Sequence, residues 1–269
     1  MKPYLFETIS FIFGLTVGSF LNVCIYRLPR GLSIVRPGSA CPACNSPVMP
    51  WDNIPVLSFL LLRGKCRRCG GKISLRYPLV EMLNGVFYWL LFIHFGAIWG
   101  LPLLFAFVSA MIVITFIDLD FQIIPDVISL PGIVLGVLGA AFILPDPFTV
   151  QSSYYARPIV GVVNSLAGLL AGGGLFYLIA LIGGVMTKRD AMGGGDIKMM
   201  AMVGAFMGWK AVLLTTFAGS LAGSVAGIFL MAFKGKGREA KIPFGPFLSL
   251  GAVITLFLGQ SIIKWYLGI

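Results

Sequence analysis

Acidic side chains are scarce in this sequence: ten among 269 residues, beside a single histidine, His94, and a charged fraction of only 11%. With one histidine, a serine–histidine protease or an HExxH metalloprotease lacks its parts. No Walker A loop is present, so there is no nucleotide-driven motor of that kind, and no period of 20–50 residues that would make a solenoid. The polar surface of a soluble domain is missing too, because such domains carry roughly 25% charged residues, and here hydrophobic residues make up 58%. A chain of this kind satisfies its backbone in lipid as helices or as a closed barrel, and its long apolar runs do not alternate as barrel strands do. The expected fold class is an all-α polytopic membrane protein.

Apolar segments fall at 5–26, 80–98, 100–117, 127–145, 159–186, 197–209, 211–233 and 246–266, about eight transmembrane helices, or seven if the short sixth segment does not span. The first reads as a retained helix, since it outruns a signal peptide, offers no small-residue cleavage site and includes Asn22. One polar insertion remains. The domain reading is therefore a first helix over 1–26, a loop domain over 27–79 and a transmembrane core over 80–269.

The net charge of +10 lies in the loops. Nine of the 20 Lys and Arg fall between Arg27 and Arg76, three are Lys188, Arg189 and Lys198, and four are Lys234, Lys236, Arg238 and Lys241. Basic loops stay in the cytoplasm, so eight helices with both termini outside put all three loops on that face, together with 118–126. Lys2, Arg157, Lys210 and Lys264 go to the other face, near which His94 becomes an interfacial side chain. Such charge faces anionic lipid rather than nucleic acid. Glycine pairs at four-residue spacing, Gly14 and Gly18, Gly168 and Gly172, Gly219, Gly223 and Gly227, mark close helix packing.

Five of the ten acidic residues crowd two short loops on the cytoplasmic face. Asp118, Asp120 and Asp126 sit at the mouth of the third and fourth helices, and Asp196 follows Gly193-Gly194-Gly195 directly before the sixth. Carboxylates beside lipid are costly and are functional candidates by default. Asp126, after Pro125 and before an apolar run, also fits a helix N-cap, and Asp120 an ordinary loop charge. The three glycines leave a backbone bare of side chains, so that an extended peptide can approach Asp196. Two carboxylates within a few ångströms cannot both ionise cheaply and share a proton, which is the division of labour that hydrolysis by activated water needs. The residues alone leave the partner of Asp196 open among Asp118, Asp120 and Asp126. They also leave a rival in which these groups bind cations or protons in a scaffold or transporter.

The insertion carries Cys41-Pro42-Ala43-Cys44 and Cys66-Arg67-Arg68-Cys69, a C-x2-C-x21-C-x2-C pattern. Each pair makes a knuckle offering two thiolates, and two knuckles close a tetrahedral site with no open position, which points to a structural zinc. Gly70 and Gly71 suit the turn after the second pair. The fifth cysteine, Cys24, reads as a small buried side chain. The stretch from Trp51 to Leu62 is apolar but too short to span, and either lies along the interface or forms a core for the loop.

With these motifs in place the chain resembles the bacterial type IV prepilin peptidases, the bifunctional leader peptidases and N-methyltransferases of pilus and type II secretion systems. The resemblance rests on Gly18-Ser19-Phe20-Leu21-Asn22-Val23 with Tyr26-Arg27-Leu28-Pro29, the four-cysteine loop, Arg76-Tyr77-Pro78-Leu79-Val80-Glu81, the two aspartate motifs, and Ile242-Pro243-Phe244-Gly245-Pro246-Phe247. Ser74-Leu75 stand where many relatives carry Gly-Lys. By motif, the family's two catalytic aspartates fall on Asp118 and Asp196, which makes the choice the residues had left open. The resemblance implies cleavage of a prepilin or pseudopilin leader after glycine at the cytoplasmic side of the inner membrane. Methylation of the new N-terminus with S-adenosylmethionine would follow. No Rossmann glycine motif exists to bind that donor, and Glu81, at the entrance of the second helix, is the candidate participant.

Overall fold

The computed structural model describes residues 3–145, 148, 158–187, 192–234 and 243–268. Among them the regular elements are helical: α1 (Pro3–Arg27), a short α2 (Leu57–Leu61), α3 (Arg76–Phe95), α4 (Leu101–Phe121), α5 (Asp126–Phe142), α6 (Pro158–Thr187), α7 (Gly194–Lys234) and α8 (Gly245–Leu267). Six of these, all but α2 and α5, are long and apolar enough to cross a membrane. The 17-residue α5 is apolar but shorter. Of the basic residues that set the expected topology, Lys2, Arg157, Lys188, Arg189, Lys236, Arg238 and Lys241 lie outside the described residues, as does Ile242.

The eight expected segments correspond to seven helices, because the sixth and seventh run on as α7. At Gly208 that helix leaves helical geometry, with φ 81° and ψ 177°. Position 208 requires glycine twice over: its φ disfavours any L side chain, and a Cβ there would meet the side chain of Asn164 on α6. The limb before the break, 194–207, is about 21 Å long at 1.5 Å per residue, short of the roughly 30 Å hydrocarbon core. It is buried rather than lipid-facing: Met199, Met200, Val203 and Ala205 are all fully enclosed.

The chain forms two compact units. The first comprises residues 1–97 with 108–113. In it α1 and α3 lie along each other, and their backbones approach at the Gly14/Gly18 stripe. A Cβ at Gly14 would stand 2.8 Å from Gly85 Cα, and one at Gly18 2.6 Å from Glu81 Cα. Buried amides tie the pair: Asn84 Nδ2 donates to Gly14 O (2.7 Å), and Asn22 Nδ2 donates to Tyr77 O (3.1 Å). Ser109 Oγ donates to Asn84 Oδ1 (2.9 Å) and meets the Tyr88 hydroxyl at 3.0 Å. Hydrogen bonds of this kind satisfy polar groups that lipid cannot.

The second unit comprises 98–107 and 114–269. Its helices α6 and α7 are in backbone contact where the expected glycines fall. A Cβ on Gly172 would strike the Met200 carbonyl and one on Gly168 the Gly204 carbonyl, while Ser165 Oγ donates to Ala205 O at 2.6 Å. On the other limb of α7, Gly219 and Gly223 receive Phe247 and Leu248 of α8. Cys24 is buried, as read from the sequence.

Overpacking a helix contact typically costs about 1–3 kcal/mol, and more where the obstacle is backbone. Gly172→Leu should therefore lower the melting temperature in detergent sharply. Gly174→Leu, where a Cβ meets nothing within 4 Å, should leave it nearly unchanged. Equal melting of the two variants would remove the packing argument.

Candidate active site

α4 ends where Gln122 takes a left-handed conformation and its amide closes on the Asp118 carbonyl at 2.9 Å, which puts Asp118 in the last turn. Its carboxyl is buried, with the residue 6% exposed. Oδ2 accepts the amide of Gly245, the first residue of α8, at 2.9 Å. That amide is one of the four donors a helix start leaves without an intrahelical partner, and a carboxylate there also meets the favourable end of the helix dipole. A Cβ on residue 245 would stand 2.7 Å from the same oxygen. Glycine is thus what allows α8 to begin against Asp118.

Asp196 lies in the first turn of α7, half-buried, its amide donating to Gly193 O at 3.1 Å. The carboxyls of Asp118 and Asp196 are close enough to repel one another electrostatically when both are ionised. Seventy-eight residues apart in sequence, they are brought together by the end of α4 and the start of α7.

The neighbouring candidates separate. Asp120 is exposed. Asp126 is exposed and is not the N-cap that its position suggested: Pro125 holds that place, and Asp126 is the first residue of α5. Its carboxylate instead receives Lys198 Nζ, at 2.7 Å from each oxygen, joining α5 to α7 two residues past Asp196. The three glycines also differ. A Cβ on Gly195 would come within 2.8 Å of Ile124 Cβ, whereas Gly194 has nothing within 4 Å and Gly193 only the Asp196 carboxyl and the Gly195 amide. Gly195 therefore has a packing reason of its own, and open backbone beside the carboxyl belongs to Gly193 and Gly194.

Gly245 was missed as a partner of Asp118, although the signal was there. Gly-Pro directly before an apolar run marks a helix start, with Pro246 in the first turn, and a helix start is an anion-binding feature.

In the first unit the cysteine pairs fold into two equivalent knuckles. Asn45 N donates to Cys41 O and Cys41 N to Ser46 O; in the second, Gly70 N donates to Cys66 O and Cys66 N to Gly71 O, all at 2.8–2.9 Å. Asn45 and Gly70 occupy the same left-handed corner, φ 54° and 69°. The four sulfurs lie within 4.8 Å of one another, with Cys41 Sγ 3.9 Å from Cys69 Sγ. Tetrahedral bonds of about 2.3 Å place sulfurs about 3.8 Å apart, so the thiols fit a metal ion. Arg67, inside the second knuckle, binds Asp52 through Nε and Nη2 at 2.7–3.0 Å. Those hydrogen bonds hold the Asp52 carboxyl below the usual carboxylate range.

The apolar stretch from Trp51 to Leu62 forms a 3-10 turn over Pro50–Asn53 and then α2. Trp51, Leu57, Leu60 and Leu61 stay exposed, as suits a segment lying along an interface. Glu81 is buried on α3, where Oε2 accepts Val56 N at 2.7 Å and Ser19 hydrogen-bonds to the same carboxyl.

Residues 12–95 match the bacterial peptidase A24 N-terminal domain, and 105–228 match the type IV leader peptidase family. A protein of Aeromonas hydrophila named prepilin leader peptidase/N-methyltransferase is 34% identical, over 98% of this chain and 95% of its own length. This chain belongs to the type IV leader peptidase family. Relatives of the same printed name in Pseudomonas aeruginosa and Legionella pneumophila are each 34% identical, covering 98% and 99% of the chain and 94% and 96% of their own lengths. No solved structure matches this member of the family.

Two outcomes follow from this geometry. Gly245→Ala should lower turnover by roughly 10- to 100-fold, the scale of a displaced catalytic group, while the melting temperature changes little; unaltered turnover would detach Gly245 from the site. Cys41→Ser or Cys69→Ser should abolish bound metal, read by elemental analysis of the purified protein, and metal retained by both variants would refute the four-thiol site.

Proposed function

We propose that this protein is a membrane aspartyl endopeptidase that removes the leader of type IV prepilins or pseudopilins after a glycine and then N-methylates the new N-terminus. The observation that carries the reading is the electrostatic proximity of two carboxyls, Asp118 and Asp196, at helix ends beside bare glycine backbone. The names of the near-full-length relatives supply the substrate class. The active site faces the cytoplasm from the inner membrane, in keeping with the basic residues between Arg27 and Arg76.

In this mechanism the pair holds one proton between two groups that interact. The ionised member takes a proton from water, the oxygen attacks the scissile carbonyl carbon, and the protonated member donates to the carbonyl oxygen. Collapse of the tetrahedral adduct breaks the C–N bond, and the departing nitrogen takes up the proton. Gly193 and Gly194 let an extended substrate backbone lie against Asp196, and the Gly245 amide fixes the Asp118 carboxyl in one orientation.

The four thiolates hold a structural zinc, since their set is closed and leaves no position for substrate. S-adenosylmethionine, when bound, would supply an electrophilic methyl, with the amine freed by cleavage as its acceptor and solvent taking the amine proton.

One experiment tests both halves. Purified protein incubated with a prepilin and S-adenosylmethionine should yield a mature chain shortened at the leader glycine and heavier by one methyl, read by mass spectrometry of both termini. Asp118→Asn and Asp196→Asn should each lower cleavage by roughly 10²–10⁴-fold or more, and the wild-type rate should be bell-shaped in pH, as a shared proton requires. Full cleavage by either variant overturns the aspartyl reading; cleavage without added methyl overturns the second half alone.

A further inference from the structure

Within the first unit a cavity of about 280 Å³ opens between α1 and the cysteine insertion, at the lower edge of the roughly 300–1,000 Å³ typical of small-molecule sites. Nothing in the cleavage reaction uses it. Its walls mix surfaces. Phe20, Val35 and Pro55 are apolar and can take a planar base or a thioether, while Ser19 and Asn53 offer hydrogen bonds and Arg27 a cation.

Three features hold these walls in place. Arg27 donates to Ser33 O (2.9 Å) and Pro37 O (2.7 Å), pinning the 33–38 segment that forms one side. Val56, next to the lining Pro55, has φ 60° and ψ −49°, and Leu57 N closes on Pro55 O at 2.6 Å. That is the strained γ-turn, a conformation a β-branched residue avoids. Such outliers persist where surrounding groups over-determine them, and they gather at ligand clamps. Here the determinant is Glu81, whose buried carboxyl takes the Val56 amide and also touches the lining Ser19.

Glu81 is also an acidic group directly behind the cavity wall, since Ser19 both lines the cavity and hydrogen-bonds to its carboxyl. The insertion's own Asp52, although adjacent to Asn53, is engaged by Arg67 through both carboxylate oxygens. A ligand suited to this arrangement is small, part planar and part aliphatic, carries a carboxylate for Arg27 and has positive charge to set toward Glu81. S-adenosylmethionine has these features.

We propose that this cavity binds the sulfonium methyl donor, with Glu81 as the positioning residue that, through Ser19 and the Val56 amide, fixes its Ser19–Pro55 wall. The inference rests on the methyl-transfer half of the proposed function and gives that half a place.

The test uses the full-length, zinc-loaded protein in detergent. Photo-crosslinking with a diazirine analogue of S-adenosylmethionine should label peptides within 16–39 or 53–55. Label confined to residues 114–269 would overturn the proposal, and this arm needs no variant. Calorimetric titration with S-adenosylhomocysteine should show binding weakened about tenfold or more in Val23→Trp, which fills the cavity from α1. Glu81→Gln keeps the shape and removes the charge. It should raise the donor KM about tenfold with kcat for methyl transfer, zinc content and melting temperature near wild type, a split that loss of structure would not give. Wild-type affinity in both variants overturns the assignment. Methyl transfer by the wild type with label elsewhere sinks the cavity and leaves the methyltransferase standing, whereas no methyl transfer at all sinks the reading on which it rests.

Discussion

Backbone contact between α6 and α7 is the constraint on which the second unit depends. Met200 and Gly204 present their carbonyls to Gly172 and Gly168, a fit that no side chain larger than hydrogen permits. In lipid there is no hydrophobic gain to drive helices together, so association rests on such van der Waals approach and on polar groups satisfied between helices. The close fit encloses the first limb of α7, which is too short to span, and so fixes its amino end, where Asp196 stands. Gly208 then lets the chain turn into a second limb that can reach across. A straight helix of 41 residues would be about 60 Å long, twice the hydrocarbon thickness.

The same economy recurs at Asp118. Burying a carboxyl beside lipid is unfavourable unless its oxygens are satisfied, and the Gly245 amide at 2.9 Å supplies a donor from backbone that a helix start leaves unpaired anyway. Among the described residues no basic side chain is paired with Asp118. A lysine or arginine there would hold the carboxyl ionised and remove the shared proton on which the proposed hydrolysis depends. Lys198 is kept for Asp126, which is exposed.

Much of this was legible because composition and motif spacing are local. Long apolar runs located the spans, the C-x2-C pairs located the thiols that do gather within 4.8 Å, and the glycine stripes located helix contacts. The family resemblance chose Asp118, the one buried carboxyl of its loop. What could not be read depends on partners far away in sequence. Asp126 resembles an N-cap until Lys198, 72 residues on, takes its carboxylate. Gly195 resembles one of three equivalent glycines until Ile124 is placed against it. Val56 lies in an apolar stretch with no sign of strain, and only the buried Glu81 beneath it explains the conformation. The break at Gly208 was visible as a boundary between two segments, but not as a kink within one helix.

The division into units bears on the order of the two proposed reactions. An amide nitrogen is a poor nucleophile, because its lone pair is delocalised into the carbonyl, so the nitrogen that becomes the new N-terminus cannot accept a methyl until the peptide bond is cut. The aspartates and the Gly245 amide all belong to the second unit, while the thiols, Glu81 and the cavity all belong to the first. The family matches divide the chain in the same place, 12–95 and 105–228. On the proposed reading one unit creates the amine that the other consumes, so sequence is imposed by chemistry rather than by a gate. A donor bound early in the first unit would wait for its acceptor, since in an uncut substrate the nitrogen to be methylated is still part of an amide.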